Sequence, residues 1–507
     1  MLKRIRTYVG LLVVVVGFGS LPATTYAGED FTKDLDGFVS SALESYGVPG
    51  AGVVVIHGDQ RIVRTFGLRK AGTELRVDAN TRFAIASVTK AFTADLVAVG
   101  VDRGVLKWDE PALTYLPALR LAKEHTTLRV TPRQLLTHAA GFPAFDGSML
   151  NAAGYSADEI IHRLRYFPLV ADLGTEAHYS NPGIFLAGMA ATRALKAKDW
   201  EAAMAEHVLG PLRMKATDFR SGAIDPSWNA AHPHLATTKG LVSFDTIEDT
   251  TPLGPASSMV TTTNDLANWL EMRVRDGRFQ DRQVLSKEAL REIRRPVILE
   301  EPGMAELPPI DEDTLYAYSP GWGVFSFQNA KVLEKGGARG GFRAIVVEVP
   351  EKDLAIGVIC NLGLTAFPEA VRAWVLERIL GKDERRDVQA EIAAIQKQLN
   401  KRFGGVLDRP TQDPAIKPDR PLASYAGRFS NDLYGTITIA KGDGGLQWSL
   451  GPSAYGGPVL SVGHNSFLML HPKGILALPE EVVFVLDEKG AAQTLITTSY
   501  GSFERAK

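Results

Sequence analysis

The sequence predicts an α+β fold followed by a small all-β domain, and three observations carry this. Strand patterns begin near residue 50 and return from residue 321, with helical periodicity between them. A stretch over 407–421 containing Pro410, Pro414, Pro418 and Pro421 then reads as a linker. Beyond it, short β-rich runs alternate with Gly-rich turns, the pattern of a small antiparallel barrel or sandwich. The division expected from these signals is 1–27 as a leader, 28–381 as one large domain, 382–421 as a helical and Pro-rich linker, and 422–507 as a β-barrel domain.

Composition narrows the function classes. With 507 residues, 45% hydrophobic and 22% charged, the chain has the apolar content of a large core and none of the bias of a disordered chain. A net charge of −2 and a pI near 6.6 provide no global attraction to nucleic acid or an anionic membrane. Met1 to Arg6 is basic, Tyr8 to Phe18 is apolar and Thr25-Tyr26-Ala27 precedes Gly28. This order is that of a secretory signal peptide, with an uncleaved anchor as the alternative, and the expectation is a secreted, periplasmic protein. No other stretch is apolar enough to span a bilayer. One cysteine, Cys360, permits no internal disulfide, and Ile356 to Ile359 beside it reads as a buried strand.

Taken in order, Phe31 to Tyr46 has the spacing of an amphipathic helix. Gly50 to Ile56 and Arg61 to Gly67 flank His57-Gly58-Asp59-Gln60 as a hairpin, with His57 a solvated turn residue. A helix is expected from Ser87 to about Arg103, stopped by Gly104. A second runs from Thr131-Pro132 to Ala140-Gly141, with His138 expected as a buried histidine bonded to backbone. Residues 174–183 form a turn-rich loop into a helical segment, 200–215 are helical, and 220–255 are an excursion in which His232 and His234 lack a third metal ligand. Thr263 to Leu270 reads as a capped helix and 300–313 as an acidic exposed loop. Strands follow over 321–327, 332–334, 344–349 and 354–359, then helices over 371–380 and 383–403.

The chemistry concentrates in three places. Ser87 and Lys90 lie three apart at a helix start, so hydroxyl and amine share a face where the positive helix end favours a developing anion. A desolvated lysine can remove the proton that makes a serine hydroxyl a poor nucleophile. Tyr179 and Asn181 on the loop can supply a phenol for proton transfer and an amide for binding. After Lys335, Gly336 and Gly337 let a ligand approach a strand backbone closely.

In this order, Ser87-Val88-Thr89-Lys90, Tyr179-Ser180-Asn181 and Lys335-Gly336-Gly337 resemble the three motifs of the penicillin-recognising serine hydrolases. These comprise class C β-lactamases, D-alanyl-D-alanine carboxypeptidases, D-aminopeptidases and family VIII carboxylesterases. Gln134 to Gly141 and Gly340-Gly341-Phe342 support the match, which covers roughly residues 30–380, and the tail resembles the lipocalin-like domain carried by some of these enzymes. The resemblance implies a β-lactamase/transpeptidase-like fold: a helical subdomain beside a helix-flanked antiparallel sheet, with the site between them. It implies Ser87 as the acylated nucleophile and Lys90 and Tyr179 sharing proton transfer. Asn181, Lys335 and Gly337 would bind substrate, and the backbone N–H groups of Ser87 and Ala338 would form the oxyanion hole. No cofactor or metal is called for. The expected substrate is a small molecule or peptide, cell-wall peptides included, with a D-amino-acid amide or an ester as the leading reading. A class C-like β-lactamase and a non-catalytic penicillin- or peptide-binding receptor are the alternatives. Gly336 stands where class C β-lactamases carry a hydroxyl residue, which removes a bond to the substrate carboxylate and favours the D-peptidases and esterases.

Overall fold

The computed structural model describes residues 28–145, 147–300, 315–382, 387–403, 410–442, 444–472 and 479–506. The expected leader, most of the acidic 300–313 loop and part of the linker lie outside the described residues. The large sheet is built from β1 (Gly50–His57), β2 (Gln60–Gly67), β3 (Ile298–Glu300), β4 (Tyr316–Ser319), β5 (Trp322–Phe327), β6 (Ala330–Arg339), β7 (Phe342–Val349) and β8 (Leu354–Cys360). Among the described residues its order is β3-β4-β5-β6-β7-β8-β1-β2, antiparallel throughout. The hairpin expected from Gly50 to Gly67 therefore joins the C-terminal strands, through β1 and β8 in the register Ala51↔Cys360 to His57↔Leu354.

The main helices are α1 (Gly28–Tyr46), α2 (Thr89–Asp102), α3 (Asn181–Ala194), α4 (Thr263–Val274), α5 (Phe367–Leu380) and α6 (Val388–Phe403); α1 and α5 cover one face of the sheet and α4 the other, while α3 packs on α2 and α6 on α5. β1 is buried on both sides, which is why it reads as an unbroken apolar run and not an alternation. Val53 and Val55 join one core with Leu35 and Val39 of α1 and Val371 and Val375 of α5. Val54 and Ile56 join the other, with α2 and with Leu266 and Leu270 of α4. The resulting α+β body has the helix-flanked antiparallel sheet that the resemblance implied.

Several local expectations are corrected. The helix from Thr131 spans only Pro132–Leu136, although Thr131 and Gln134 form the capping box its start suggested. It stops early because His138 takes a left-handed conformation, φ +61, and its carbonyl accepts from His178 N–H. The 200–215 helix is an α-turn, Trp200–Met204, then a π-type turn, Ala205–Leu209, ended by Gly210-Pro211. The cap of α4 is Thr262, which accepts from Asp265 N–H at 3.1 Å. β3 and β4 escape the sequence pattern because each is short and neither carries a run of β-branched residues.

Among the described residues the tail is a closed eight-stranded antiparallel barrel running from Gly427–Asn431 to Gly501–Arg505, sealed by Phe429↔Arg505. Phe429, Trp448, Phe467, Phe484 and Phe503 are buried in it. It docks on the helical subdomain, where Tyr155 Oη donates to Tyr434 O at 3.1 Å and Arg163 Nη1 to Asp432 O at 2.8 Å. Gly435, at φ +79, allows this approach: a side-chain carbon there would lie 1.9 Å from Tyr155 Oη.

A buried charge cluster ties α2 to the sheet. Arg273 of α4 pairs with Asp95 of α2 at 2.7 Å and with Glu348 of β7 at 2.7 Å, and Arg294 reaches the same Glu348. Trp269 Nε1 also donates to Asp95, at 2.7 Å. Removing one partner from such a cluster leaves uncompensated buried charge. Arg273→Met should therefore lower the unfolding free energy by about 3–5 kcal/mol, read from the urea midpoint and slope. Arg291→Ala, which breaks an exposed pair with Glu288, should leave that midpoint in place.

Candidate active site

Ser87 sits in a single 3₁₀ turn, Ala86–Val88, that runs straight into α2. Ala86 holds φ +47, an uncommon conformation for a residue with a side chain. α2 is buried on every side from Thr89 to Gly100, so it carries Lys90 fully out of water. The Lys90 Nζ lies 2.9 Å from Ser87 Oγ and donates to the Ala256 carbonyl at 2.8 Å. Desolvation lowers the amine's pKa to about 8, with Lys335 acting in the same direction and Tyr179 opposing.

Tyr179 closes the third side. Its Oη donates to Ser87 Oγ at 2.8 Å, and its ring centroid is 4.9 Å from Lys90 Nζ and 4.8 Å from Lys335 Nζ. Burial pushes the phenol up, but the two neighbouring amines outweigh it and hold it below its ordinary value. The loop bearing Tyr179 is pinned by His138, whose Nδ1 accepts from Ser180 N–H at 3.1 Å and whose ring lies 4.6 Å from the tyrosine ring. Burial, Lys335 and Lys90 hold His138 well below the usual imidazole range, so it serves as a neutral acceptor. Phe145 stacks on Tyr179 at 5.1 Å.

The strand β6 forms the opposite wall. It pairs with β7 as far as Arg339↔Phe342, whereas its pairing with β5 ends at Glu334, so the edge from Lys335 onward opens toward Ser87. Gly337 makes the approach possible: a side-chain carbon there would stand 2.2 Å from Ile85 O and 3.1 Å from Ser87 N. Lys335 is buried beside Tyr179 and Tyr318. Asn181 begins α3 after its cap Ser180, and its buried Oδ1 has no hydrogen-bond partner among the described residues. The cleft at Ser87 has a volume of about 800 Å³, and Asn181, Gly336 and Ala338 line it together with Tyr455 and Tyr500 of the barrel. Tyr455 Oη and His471 Nδ1 lie 3.0 Å apart.

The six other site residues expected from the sequence, Lys90, Tyr179, Asn181, Lys335, Gly337 and Ala338, thus gather around Ser87, whereas His234 and Cys360 lie elsewhere. His234 is satisfied as a neutral ring, Nε2 accepting from Ala71 N–H at 3.0 Å and Nδ1 facing Asn361 O at 2.9 Å, and burial takes its pKa to about 4. Cys360 is buried, with its thiol pushed up to about 12. The Ala256 carbonyl, Phe145 and Tyr318 were not anticipated. One acts through its backbone and two come from far in the chain, so no local spacing marks them. A hydroxyl contacted at once by a desolvated amine and a phenol, next to an open strand edge, is suited to proton removal and attack on a carbonyl.

A family model described as Beta-lactamase matches residues 35–380, and one described as a domain of unknown function (DUF3471) matches residues 411–505. The "Unguisins hydrolase ungD" of Aspergillus violaceofuscus is 22% identical, covering 80% of this chain and 76% of its own. The "D-alanyl-D-alanine-carboxypeptidase/endopeptidase AmpH" of Escherichia coli is 23% identical, over 67% of this chain and 86% of its own. The octameric penicillin-binding protein homologue from Pyrococcus abyssi has a similar structure, with a TM-score of 0.57 at 19% identity, covering 93% of this chain and 99% of its own. With the model spanning more than half of the chain and enclosing the Ser87 site, this chain belongs to the beta-lactamase family of serine hydrolases.

Proposed function

We propose that the protein hydrolyses amide or ester bonds through an acyl-enzyme on Ser87, with D-amino-acid peptides or small esters as substrates. The observation that carries this reading is the double contact on Ser87 Oγ, 2.9 Å from the Lys90 amine and 2.8 Å from the Tyr179 phenol. Lys90 and Tyr179 share the proton removed from Ser87 as Oγ bonds to the substrate carbonyl carbon. The carbonyl oxygen takes the negative charge, and the N–H groups of Ser87 and Ala338 receive it, a contribution of about 3 kcal/mol per donor. Collapse breaks the bond to the leaving group, which takes its proton from Tyr179, and water then cleaves the acyl ester by the reverse proton route. Asn181 holds a substrate amide, and Lys335 supplies positive charge beside the site.

The name of the AmpH relative supports a D-peptide substrate, and Gly336, which has no hydroxyl to offer a carboxylate, disfavours β-lactam turnover. The basic, apolar and small-residue order of 1–27 supports export. We also propose the division 28–381, 382–421 and 422–507; the end of one family match at 380 supports the first boundary, while the other match starts at 411, within the proposed linker.

Ser87→Ala should lower kcat/KM on a D-alanine ester by at least about a thousandfold while thermal unfolding and circular dichroism stay as in the parent; retained turnover would contradict the nucleophile assignment. The pH profile offers a second check. A base must be neutral to work, and Lys90 is depressed to about 8. The kcat/KM of the parent should therefore rise with pH along an acid limb centred near 8, belonging to the coupled Lys90 and Tyr179 pair. A flat profile from pH 6 to 9 would contradict it.

A further inference from the structure

β6 does not end at the oxyanion donor. The next residue, Arg339, takes no part in the steps above, and its environment is unusual for a cation. Arg339 is 8% exposed, its Nη1 donates to Ser257 O at 3.1 Å, and its Nε has no hydrogen-bond partner among the described residues. A guanidinium stays charged at working pH and has five N–H groups to satisfy, so a buried one with an unused donor is poised for an anion. Arg339, Ser257 and Glu248 line the same cleft as Ser87 and Asn181. Glu248 comes in over the turn after β6, its Oε2 3.1 Å from where a side-chain carbon on Gly340 would stand. Burial holds its carboxyl above the usual range, and the Arg339 charge opposes that rise.

The strand direction says which part of a substrate meets Arg339. Lys335 stands beside Tyr179, the residue that protonates the leaving group in the route proposed above. Four residues of extended strand carry the chain about 13 Å onward, past Ala338, to Arg339. On that route Arg339 falls on the acyl side of the scissile bond.

We propose that Arg339 reads a carboxylate on the acyl portion of the substrate, with Glu248 as the internal anion competing for the same guanidinium. The inference rests on the acyl-enzyme reading of Ser87 and extends it to a substrate class, acyl groups carrying an anion. A charge-assisted pair at such a site favours the anionic substrate by about ten- to a hundredfold.

The test compares 4-nitrophenyl esters of N-succinyl-D-alanine and N-butyryl-D-alanine, which differ by a carboxylate in place of a methyl group. The parent should prefer the succinyl ester by about tenfold or more in kcat/KM, chiefly through KM. Arg339→Gln should bring the ratio near one, Arg339→Lys should keep part of the preference, and Glu248→Gln should raise it. A ratio unmoved in Arg339→Gln, or unraised in Glu248→Gln, overturns the assignment, as does equal use of both esters by the parent. If Arg339→Gln fails to fold, the Glu248→Gln ratio alone decides. Ser87-independent cleavage, or none of either ester, would instead fell the hydrolase reading and this inference with it.

Discussion

Lys90 is carried on a helix buried from Thr89 to Gly100, and the rest of the site follows from that burial. An ammonium there has lost its water, so the neutral amine is favoured and the pKa falls to about 8. The Ala256 carbonyl and the Ser87 hydroxyl hold the amine in one position. Two further amine and phenol groups then matter. Lys335 adds positive charge that depresses both Lys90 and Tyr179, and Tyr179 completes the contacts on Ser87 Oγ. A surface Ser-x-x-Lys pair would have the same spacing and none of this chemistry.

The sheet turns that chemistry into a cleft. α2 is fastened to β7 through Asp95, Arg273 and Glu348, and β6 lies beside β7, so the Ser87 turn and the open strand edge are held by one buried network. Gly337 sets how close they come, because any side chain there would collide with Ile85 O. The barrel adds a further wall. Its contacts through Tyr155, Arg163 and Tyr434 bring Tyr455 and Tyr500 to the cleft, placing residues more than 360 positions beyond Ser87 in the sequence beside it.

Much of this was legible in the chain because the site residues sit in short local patterns. Ser87 and Lys90 are one helical turn apart, Tyr179 and Asn181 stand two apart where a loop enters a helix, and Lys335 precedes two glycines. The apolar runs of β1, β7 and β8 likewise announce buried strands. What escaped is what no local pattern records. β4 is built from Tyr316-Ala317-Tyr318-Ser319 and is a strand by virtue of its neighbours. The helix before His138 stops because that residue must hold the Tyr179 loop. Asp95, Arg273 and Glu348 are ordinary charges until the fold buries them together. Arg339 likewise gains its character from burial that only the assembled cleft provides.

The central claim is that Ser87, activated by buried Lys90, takes the acyl group. Its most direct test is intact-mass and peptide-mapping spectrometry of the protein quenched in acid during turnover of a D-alanine ester, beside Ser87→Ala and Lys90→Met. The account predicts a D-alanyl mass increment on the peptide containing Ser87 in the parent, and none in either variant. An increment mapping elsewhere, or undiminished acylation in Lys90→Met, would contradict it.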